Sequence, residues 1–567
     1  MQTQHVEVLF VDIRFKLMLI VALALALPIL VYAQIPDTTQ TGASTAVAPS
    51  VIFDFDSVGV FSEVYANPDT VLGDRPPSAG RVFLRGSGSF WGVQTTVDLF
   101  ISSEMRSDMQ DINRFSLEGR YDWLQFFLGD HYPMYSEYTL NGIRTRGVGL
   151  MLSPGKFRFQ LNIGQSQRPL EGDTVTLRSG MYRRWVYATR IGYEDQDKFF
   201  THIGVIKLKD DVGSISAPFG TTPQENLMTG WDLGLRLWEK LQFKSEFVVS
   251  AHTRDLESSE IEIEKFPGFL KGIFRQHTSS SFEYSFKEEL RLNFEKSAFS
   301  GFYTRVNSGF SSLGVGFLLS DWQEYRLDSR FYLMDRRLNL GFFFGQRMNN
   351  LSDDRLLTTK QTSGGTTIVV RPTDYLYVNT TYSVLLETND ASVDTLARNN
   401  ISHTFFIQPS IDIFGRTVVH HFDVVASVQT LRDRKAIAPQ LFDFTTLNLG
   451  ANYILSLPIA LTVFTGYNLL LSETALENSA RHSGTARLIW SMFKGRLSNA
   501  LNLTYTSAKS DVASLLDNRR WDFVLNMTYR FSTLDNVRLD LRQTIYSDKV
   551  GKSYKEFVGY LRYTRGF

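Results

Sequence analysis

Trp322-Gln323-Glu324-Tyr325-Arg326-Leu327-Asp328-Ser329-Arg330-Phe331-Tyr332-Leu333-Met334 sets the architecture of this chain. Tyr325, Leu327, Phe331 and Leu333 fall on one side of an extended backbone. Glu324, Arg326, Asp328 and Arg330 fall on the other. A two-residue period is the mark of a strand with two unlike faces. The pattern recurs along the chain. Phe523, Leu525, Met527, Tyr529 and Phe531 oppose Asp522, Asn526, Thr528 and Arg530. Val537, Leu539, Leu541 and Ile545 oppose Arg538, Asp540 and Arg542. Phe157, Phe159, Leu161 and Ile163 oppose Arg158, Gln160 and Asn162. Strands of soluble sandwiches usually run about five or six residues. Many of these run longer and reach the ~9–11 residues that cross a bilayer at a tilt. A sheet in lipid must close on itself, because an open edge leaves backbone groups unpaired in hydrocarbon. Its apolar face then meets lipid and its polar face lines the interior.

The connections repeat with the strands. Short turns are expected near Ser153–Gly155, Asp195–Asp197, Glu239–Lys240, Lys296–Ser297, Asp335–Arg336, Pro372–Thr373, Asp412–Gly415, Ser456–Leu457, Phe493–Gly495 and Thr533–Asp535. Longer loops alternate with them, among them Gln167–Arg183, Lys209–Asn226, Ala251–Ser280, Asn307–Ser320, Asn349–Gly364 and Ser472–Ser479. Short periplasmic turns and long external loops are the rhythm of outer-membrane barrels. The spacing predicts an all-β, closed antiparallel transmembrane β-barrel of about 26 strands, in a range of about 22–26. An even number places both termini on the periplasmic side.

The composition agrees. The chain has 567 residues, 59 Lys+Arg against 59 Asp+Glu, and no cysteine. Zero net charge argues against a nucleic-acid binder. The lack of cysteine removes thiolate metal sites, disulfides and cysteine nucleophiles. Aromatic residues are abundant at 13%, and charged residues make up 21% with a mean hydropathy of −0.13, which no bundle of apolar transmembrane helices would show. The apolar run Leu17 to Leu30 follows Arg14 and Lys16 and precedes Val31-Tyr32-Ala33. It is short for a spanning helix and has the small-residue end of an export signal. Residues 1–33 are therefore expected to be a signal peptide, 34–57 a flexible periplasmic leader, and 58–567 the barrel with long extracellular loops.

Gly129-Asp130-His131-Tyr132-Pro133, followed by Thr139-Leu140-Asn141-Gly142-Ile143-Arg144-Thr145-Arg146-Gly147, carries a resemblance. So do Gly164-Gln165-Ser166-Gln167-Arg168, Lys209-Asp210-Asp211 and Pro223-Gln224-Glu225-Asn226-Leu227. Together they are similar to a group of outer-membrane barrels of Bacteroidota-like bacteria. They resemble, more distantly, the barrel of the type 9 secretion translocon. The resemblance implies the compartment and the fold, and no activity. Phe557, Leu561, Tyr563 and Phe567 alternate to the last residue. A final aromatic of this kind is the signal read by the outer-membrane assembly machinery, so Phe567 is the expected assembly signal. Arg565 departs from that pattern.

Candidate lumen-lining residues are Arg144, Arg146, Glu324, Arg326, Asp328, Arg330, Arg538, Asp540 and Arg542. Arg144 and Arg146 share one face of a strand, expected to point inward. They form either an anion-attracting constriction or, as charges in low dielectric usually do, pairs with carboxylates on neighbouring strands. No cofactor or metal site is expected. His420 and His421 are adjacent and face opposite ways. Asp210-Asp211 and Asp353-Asp354 in external loops could hold calcium only weakly. No Gly-x-Ser-x-Gly elbow or phosphate-binding glycine loop occurs, so catalysis is not expected. Ile261 to Phe274, with Phe266, Phe269, Leu270 and Ile273, is expected to fold back into the mouth or meet a partner. About 26 strands enclose a lumen wider than that of a 16–18-stranded porin, which would leak unless filled. The expected function is a polar channel for passive solute passage that loops can occlude. The alternatives are a secretion, assembly or docking component holding a protein partner, and a barrel-borne hydrolase. Expected partners are outer-membrane lipid and the assembly machinery, with a protein partner in the lumen or at the loops and no nucleic acid.

Overall fold

The computed structural model describes residues 52–66, 78–90, 92–103, 105, 109–195, 198–261, 273–393, 396–434, 443–512, 516–551 and 553–565. The expected signal peptide, most of the expected leader and Phe567 lie outside these residues, as do Phe266, Phe269 and Leu270. Among the described residues one antiparallel sheet holds 26 strands. These begin with β1 (Ile52–Ala66), β2 (Ser78–Phe90), β3 (Val93–Ser102), β4 (Arg114–Tyr121), β5 (Leu124–His131), β6 (Thr145–Leu152), β7 (Phe157–Gln167), β8 (Arg183–Asp195) and β9 (Phe199–Asp211). They continue with β10 (Glu225–Leu237), β11 (Leu241–Thr253), β12 (Ser280–Asn293), β13 (Ser297–Val306), β14 (Trp322–Leu333), β15 (Leu338–Asn349), β16 (Thr359–Thr373), β17 (Leu376–Asn389) and β18 (Asn399–Phe414). The last are β19 (Val419–Asp433), β20 (Phe444–Leu457), β21 (Leu461–Thr474), β22 (Asn478–Met492), β23 (Leu497–Ser510), β24 (Asp517–Arg530), β25 (Asp535–Asp548) and β26 (Tyr554–Arg565). β1 starts inside the stretch expected to be leader.

Each strand pairs with its neighbours in sequence. β1 also pairs with β26, from Val58↔Arg565 to Ala66↔Phe557. The ladder thus returns to its own start, which leaves no open edge among the described strands. Even-to-odd connections are short, such as 238–240 and 493–496, and gather at one rim. Odd-to-even connections are mostly long, such as 132–144, 254–279 and 307–321, and gather at the other. The β21–β22 connection departs from the expected longer loop and spans only 475–477. Thr474 closes it: its Oγ1 accepts from the amides of Leu476 and Glu477, and its own amide donates to Glu477 O. The chain enters β1 and leaves β26 at the short-turn rim.

Ladder partners share a face, so the two faces can be followed strand by strand. Leu327 stands beside Gly301 and Phe344, and Leu541 beside Leu525 and Gly559. This face carries large exposed side chains, including Leu327, Phe342, Phe344, Trp521 and Leu561. Its rings meet across strands: Phe299 lies 5.6 Å from Phe331, and Phe331 lies 6.2 Å from Phe342. Such cross-strand aromatic pairs stabilise a sheet by about 0.2–1 kcal/mol each. Pro409 interrupts the β18–β19 pairing, which skips from Ile407↔Ala426 to Ser410↔Asp423. Proline has no N–H to give the ladder.

Candidate functional site

Two long loops fold onto the opposite face of the ring, called inner here. The β5–β6 loop brings Tyr135, Tyr138 and Leu140 into one buried cluster with Val186 and Ala188 of β8, Ile206 and Leu208 of β9, Met228 of β10 and Val248 of β11. The β13–β14 loop adds Phe310, with Leu313 and Leu318 packed against the cluster. Leu140 is fully buried and Phe310 nearly so. Burying a side chain of this size contributes roughly 1.5–3 kcal/mol. The loops also bond to each other. Asn141 N donates to Gly314 O at 3.0 Å, and Ser312 Oγ donates to Thr139 O at 2.7 Å. Gly314 permits this approach, since a Cβ there would lie 2.1 Å from Thr139 O.

The wall holds both loops by polar anchors. Tyr135 OH donates to Ala188 O at 2.9 Å and accepts from Asn162 Nδ2 at 2.8 Å. Asn226 accepts the Leu313 amide at 3.1 Å through Oδ1 and donates to Ser250 Oγ at 2.8 Å. Ser250 Oγ in turn donates to Ser311 O at 2.6 Å. Lys287 Nζ reaches Glu137 of the first loop at 2.7 Å. Burial pushes the Tyr135 and Tyr138 phenols well above their usual pKa, so both stay neutral. The sequence does carry a sign of these anchors: aromatic and apolar residues, Tyr135, Tyr138, Leu140 and Phe310, in stretches that read as external loops.

The charged rows of β14 and β25 share this inner face. Trp322, one step before Glu324 in the same row, packs against the loop cluster. Arg326 Nη2 meets Asp328 Oδ1 at 3.0 Å, and its guanidinium lies 4.8 Å from the Phe343 ring. Glu324 stands opposite Thr304 and Arg347, and Arg330 opposite Ala298 and Gly341. On β25, Arg538 Nε pairs with Asp540 at 2.8 Å, and Asn526 Nδ2 donates to Asp540 at 2.6 Å. Arg542 reaches Asp522 at 3.3 Å, and Arg520 reaches the same carboxylate at 2.6 Å. Between these charged sectors the inner wall is mostly uncharged. Thr367 and Thr381 lie 3.3 Å apart, Asn468 donates to Asn448 at 2.6 Å, and Ser483 and Thr506 lie 3.3 Å apart.

Arg144 and Arg146 lie elsewhere. Arg146 pairs in register with Asp130 and Gln165 and alternates with Val148, which is exposed. Gly149, of the opposite parity, faces Asn162 and His131 beside the inner loop. The two arginines are therefore on the outward face at the long-loop rim, not on the inner wall as expected. Both pair with carboxylates: Arg144 Nε and Arg146 Nε meet Asp130 Oδ1 at 2.9 and 3.0 Å. Arg146 and Arg168 share Asp111 at 2.6 and 2.7 Å. A strand's parity cannot be referred to inside or outside when both of its faces carry polar residues near a rim.

Other expectations fare differently. Asp210 and Asp211 belong to β9, not to a loop, and Asp210 is bound by Arg184 at 2.7 Å. Phe274 packs on Leu227 and Ala251, on the outward face, and so not in the mouth. His420 bonds Tyr453 OH at 2.9 Å on one face, while His421 bonds Asp412 at 2.7 Å on the other. Among the described residues no three His, Asp or Glu side chains are gathered as metal ligands.

No protein-family model matches the chain, and no curated protein matches it. Among solved structures, the PapC usher translocation pore of the P pilus aligns at 11% identity with a TM-score of 0.35, over 91% of this chain and 100% of that one. An E. coli P pilus tip assembly intermediate containing PapC aligns at 12% identity and TM-score 0.42, over 94% and 64%. A BenF-like porin from Pseudomonas fluorescens aligns at 9% identity and TM-score 0.29, over 91% and 99%. Likenesses this weak leave the fold resting on the ladder itself.

Proposed function

We propose that the chain is an integral outer-membrane β-barrel whose lumen is a polar conduit, narrowed on one side by its own loops, for passive passage of small hydrophilic solutes. Both chain termini then face the periplasm and the long loops face the cell exterior. One observation supports this most: polar side chains line the inner face from β14 to β25, while the buried loop cluster is anchored on β8 to β13. The expected lumen would leak if empty, and the two loops fill part of it. The paired rows of Arg326–Asp328 and Arg538–Asp540 leave little net field, so strong ion selection is not expected. Purified protein in a planar bilayer should give discrete conductance steps. Replacing residues 308–318 by a short Gly-Ser link should enlarge them. Absence of any step, together with a co-purifying protein, would favour the secretion or assembly reading instead.

A second reading rests on one cluster. Asp412 Oδ1 meets His421 Nδ1 at 2.7 Å, and His421 Nε2 lies 3.5 Å from Ser410 Oγ on the inner face. A nucleophile, a base and an orienting carboxylate in this order are the parts of a serine hydrolase. The Ser410–His421 separation is longer than a working pair needs, about 2.6–3.2 Å. Labelling by a fluorophosphonate that is lost in Ser410→Ala would establish this reading, and an unlabelled wild-type protein would end it.

A further inference from the structure

The misplaced arginines belong to a wider asymmetry. Arg146, Arg183, Lys209, Arg432, Lys509 and Arg519 sit on six different strands. Followed through the ladder, all share the outward face with Leu327 and Leu541, and all lie within a few residues of the long-loop rim. Among the described strands the outward-facing lysines and arginines all cluster at that rim, Arg565 excepted. At the short-turn rim the same face ends in Leu237, Phe299, Leu333, Leu457 and Tyr529. Carboxylates do occur beside the cations, but the best-placed ones are tucked beneath them. The Asp130 side chain is 2% exposed where Arg146 is 46% exposed, and Glu225 is 2% exposed where Lys209 is 46% exposed. At these two pairs the positive charge stands outward of its counter-charge, whereas Asp211 is as open as its partner Arg183.

The best-formed part is a cavity of about 240 Å³ walled by Arg144, Arg146 and Arg168, by the carboxylates Asp111 and Asp130 that pair with them, and by Gln167. Its guanidiniums are engaged by Asp111, Asp130 and the Asn113 carbonyl, yet three of them face two carboxylates, which leaves a net positive charge just beyond Val148, Leu128 and Ile163 of the exposed apolar wall. We propose that this outward basic rim docks phosphorylated lipid headgroups of the leaflet on the long-loop side, with the Arg144–Arg146–Arg168 cavity as its principal seat. Guanidinium groups recognise phosphate oxygens by paired, charge-assisted hydrogen bonds. A cation at a membrane surface attracts anionic headgroups by an amount that adds up residue by residue. The apolar wall below would hold the acyl chains. This rests on the reading that the outward face meets lipid.

The probe is a bisphosphorylated lipid A, compared with the same lipid stripped of its phosphates, each offered to the detergent-solubilised full chain and counted by native mass spectrometry. The wild type should retain the phosphorylated lipid about tenfold more than the stripped one. Arg146→Gln with Arg168→Gln should lose most of that preference, and Arg326→Gln on the inner face should keep it. Should the double variant fail to show the heat-dependent gel shift of a folded barrel, Lys509→Gln with Arg519→Gln tests the same rim on the far side. Inorganic phosphate at the same concentration should not displace the lipid. Equal retention of the two lipids, or full displacement by inorganic phosphate, overturns the proposal. A barrel that conducts but shows no preference sinks this inference alone. One that shows the preference but never conducts sinks the conduit alone.

Discussion

Arg326 illustrates how a lining charge acts here. Its guanidinium is held by Asp328 two residues along the same strand and by the face of Phe343. Both partners are partly exposed, so the pair stabilises the barrel by less than about 1 kcal/mol. Its larger effect is on the field. Arg326→Gln with Arg330→Gln leaves Asp328 uncompensated, and the reversal potential in a salt gradient should move toward cation selectivity. Adding Asp328→Asn should move it back; an unchanged potential would mean these groups lie away from the narrow zone. Asp111 carries a pH dependence. Burial works against its charged form, yet the hydrogen bond and charge of Arg168, with those of Arg146, outweigh this and hold the carboxyl below the usual carboxylate range. A depressed folded-state pKa contributes stability above the unfolded value of about 3.9 and loses it as pH falls through the folded one. Protection of the 109–113 amides, taken as exchange relative to the intrinsic rate at each pH, should therefore stay constant from neutral pH down to about pH 4 and fall below it. Asp111→Asn should exchange fast already at neutral pH.

The inward loops are the elements on which the conduit depends. Their sequence shows aromatic residues where an external loop would be polar, but not which wall receives them. That wall is distant in sequence: Leu313 is held by Asn226, and Thr139 by Ser312. Gly314→Val places a Cβ against the Thr139 carbonyl and should unseat the pair of loops at a cost of about 1–3 kcal/mol. Asn226→Ala leaves the half-buried Leu313 amide without its acceptor, at about 1 kcal/mol. Both variants should keep the gel shift of an intact barrel, become cleavable by protease within 307–321, and pass larger currents. Resistance to protease equal to wild type would show that the loop contacts do not hold that segment in place.

At the scale of the ring, closure is the feature to test, and the lack of native cysteine makes the test clean. Val60 stands opposite Tyr563, and Phe61 opposite Arg562. Paired cysteines at one or the other of these positions should cross-link β1 to β26 without a reductant, because alternate antiparallel pairs bring Cα atoms to about 4.5 or 5.5 Å. Failure at both would open the ring. Much of this plan is legible along the chain. Alternation in 322–334 and 521–547 follows from local chain geometry, because successive side chains of a strand must point opposite ways. The rhythm of short and long connections follows from turn residues close in sequence. Two things are not local. Whether a polar row faces in or out depends on register carried through every neighbouring pairing, which is why Arg326 and Arg146 read alike in sequence and lie on opposite faces. The fate of a loop depends on the surface it meets, and the buried Leu140 and Phe310 find theirs on strands far away along the chain.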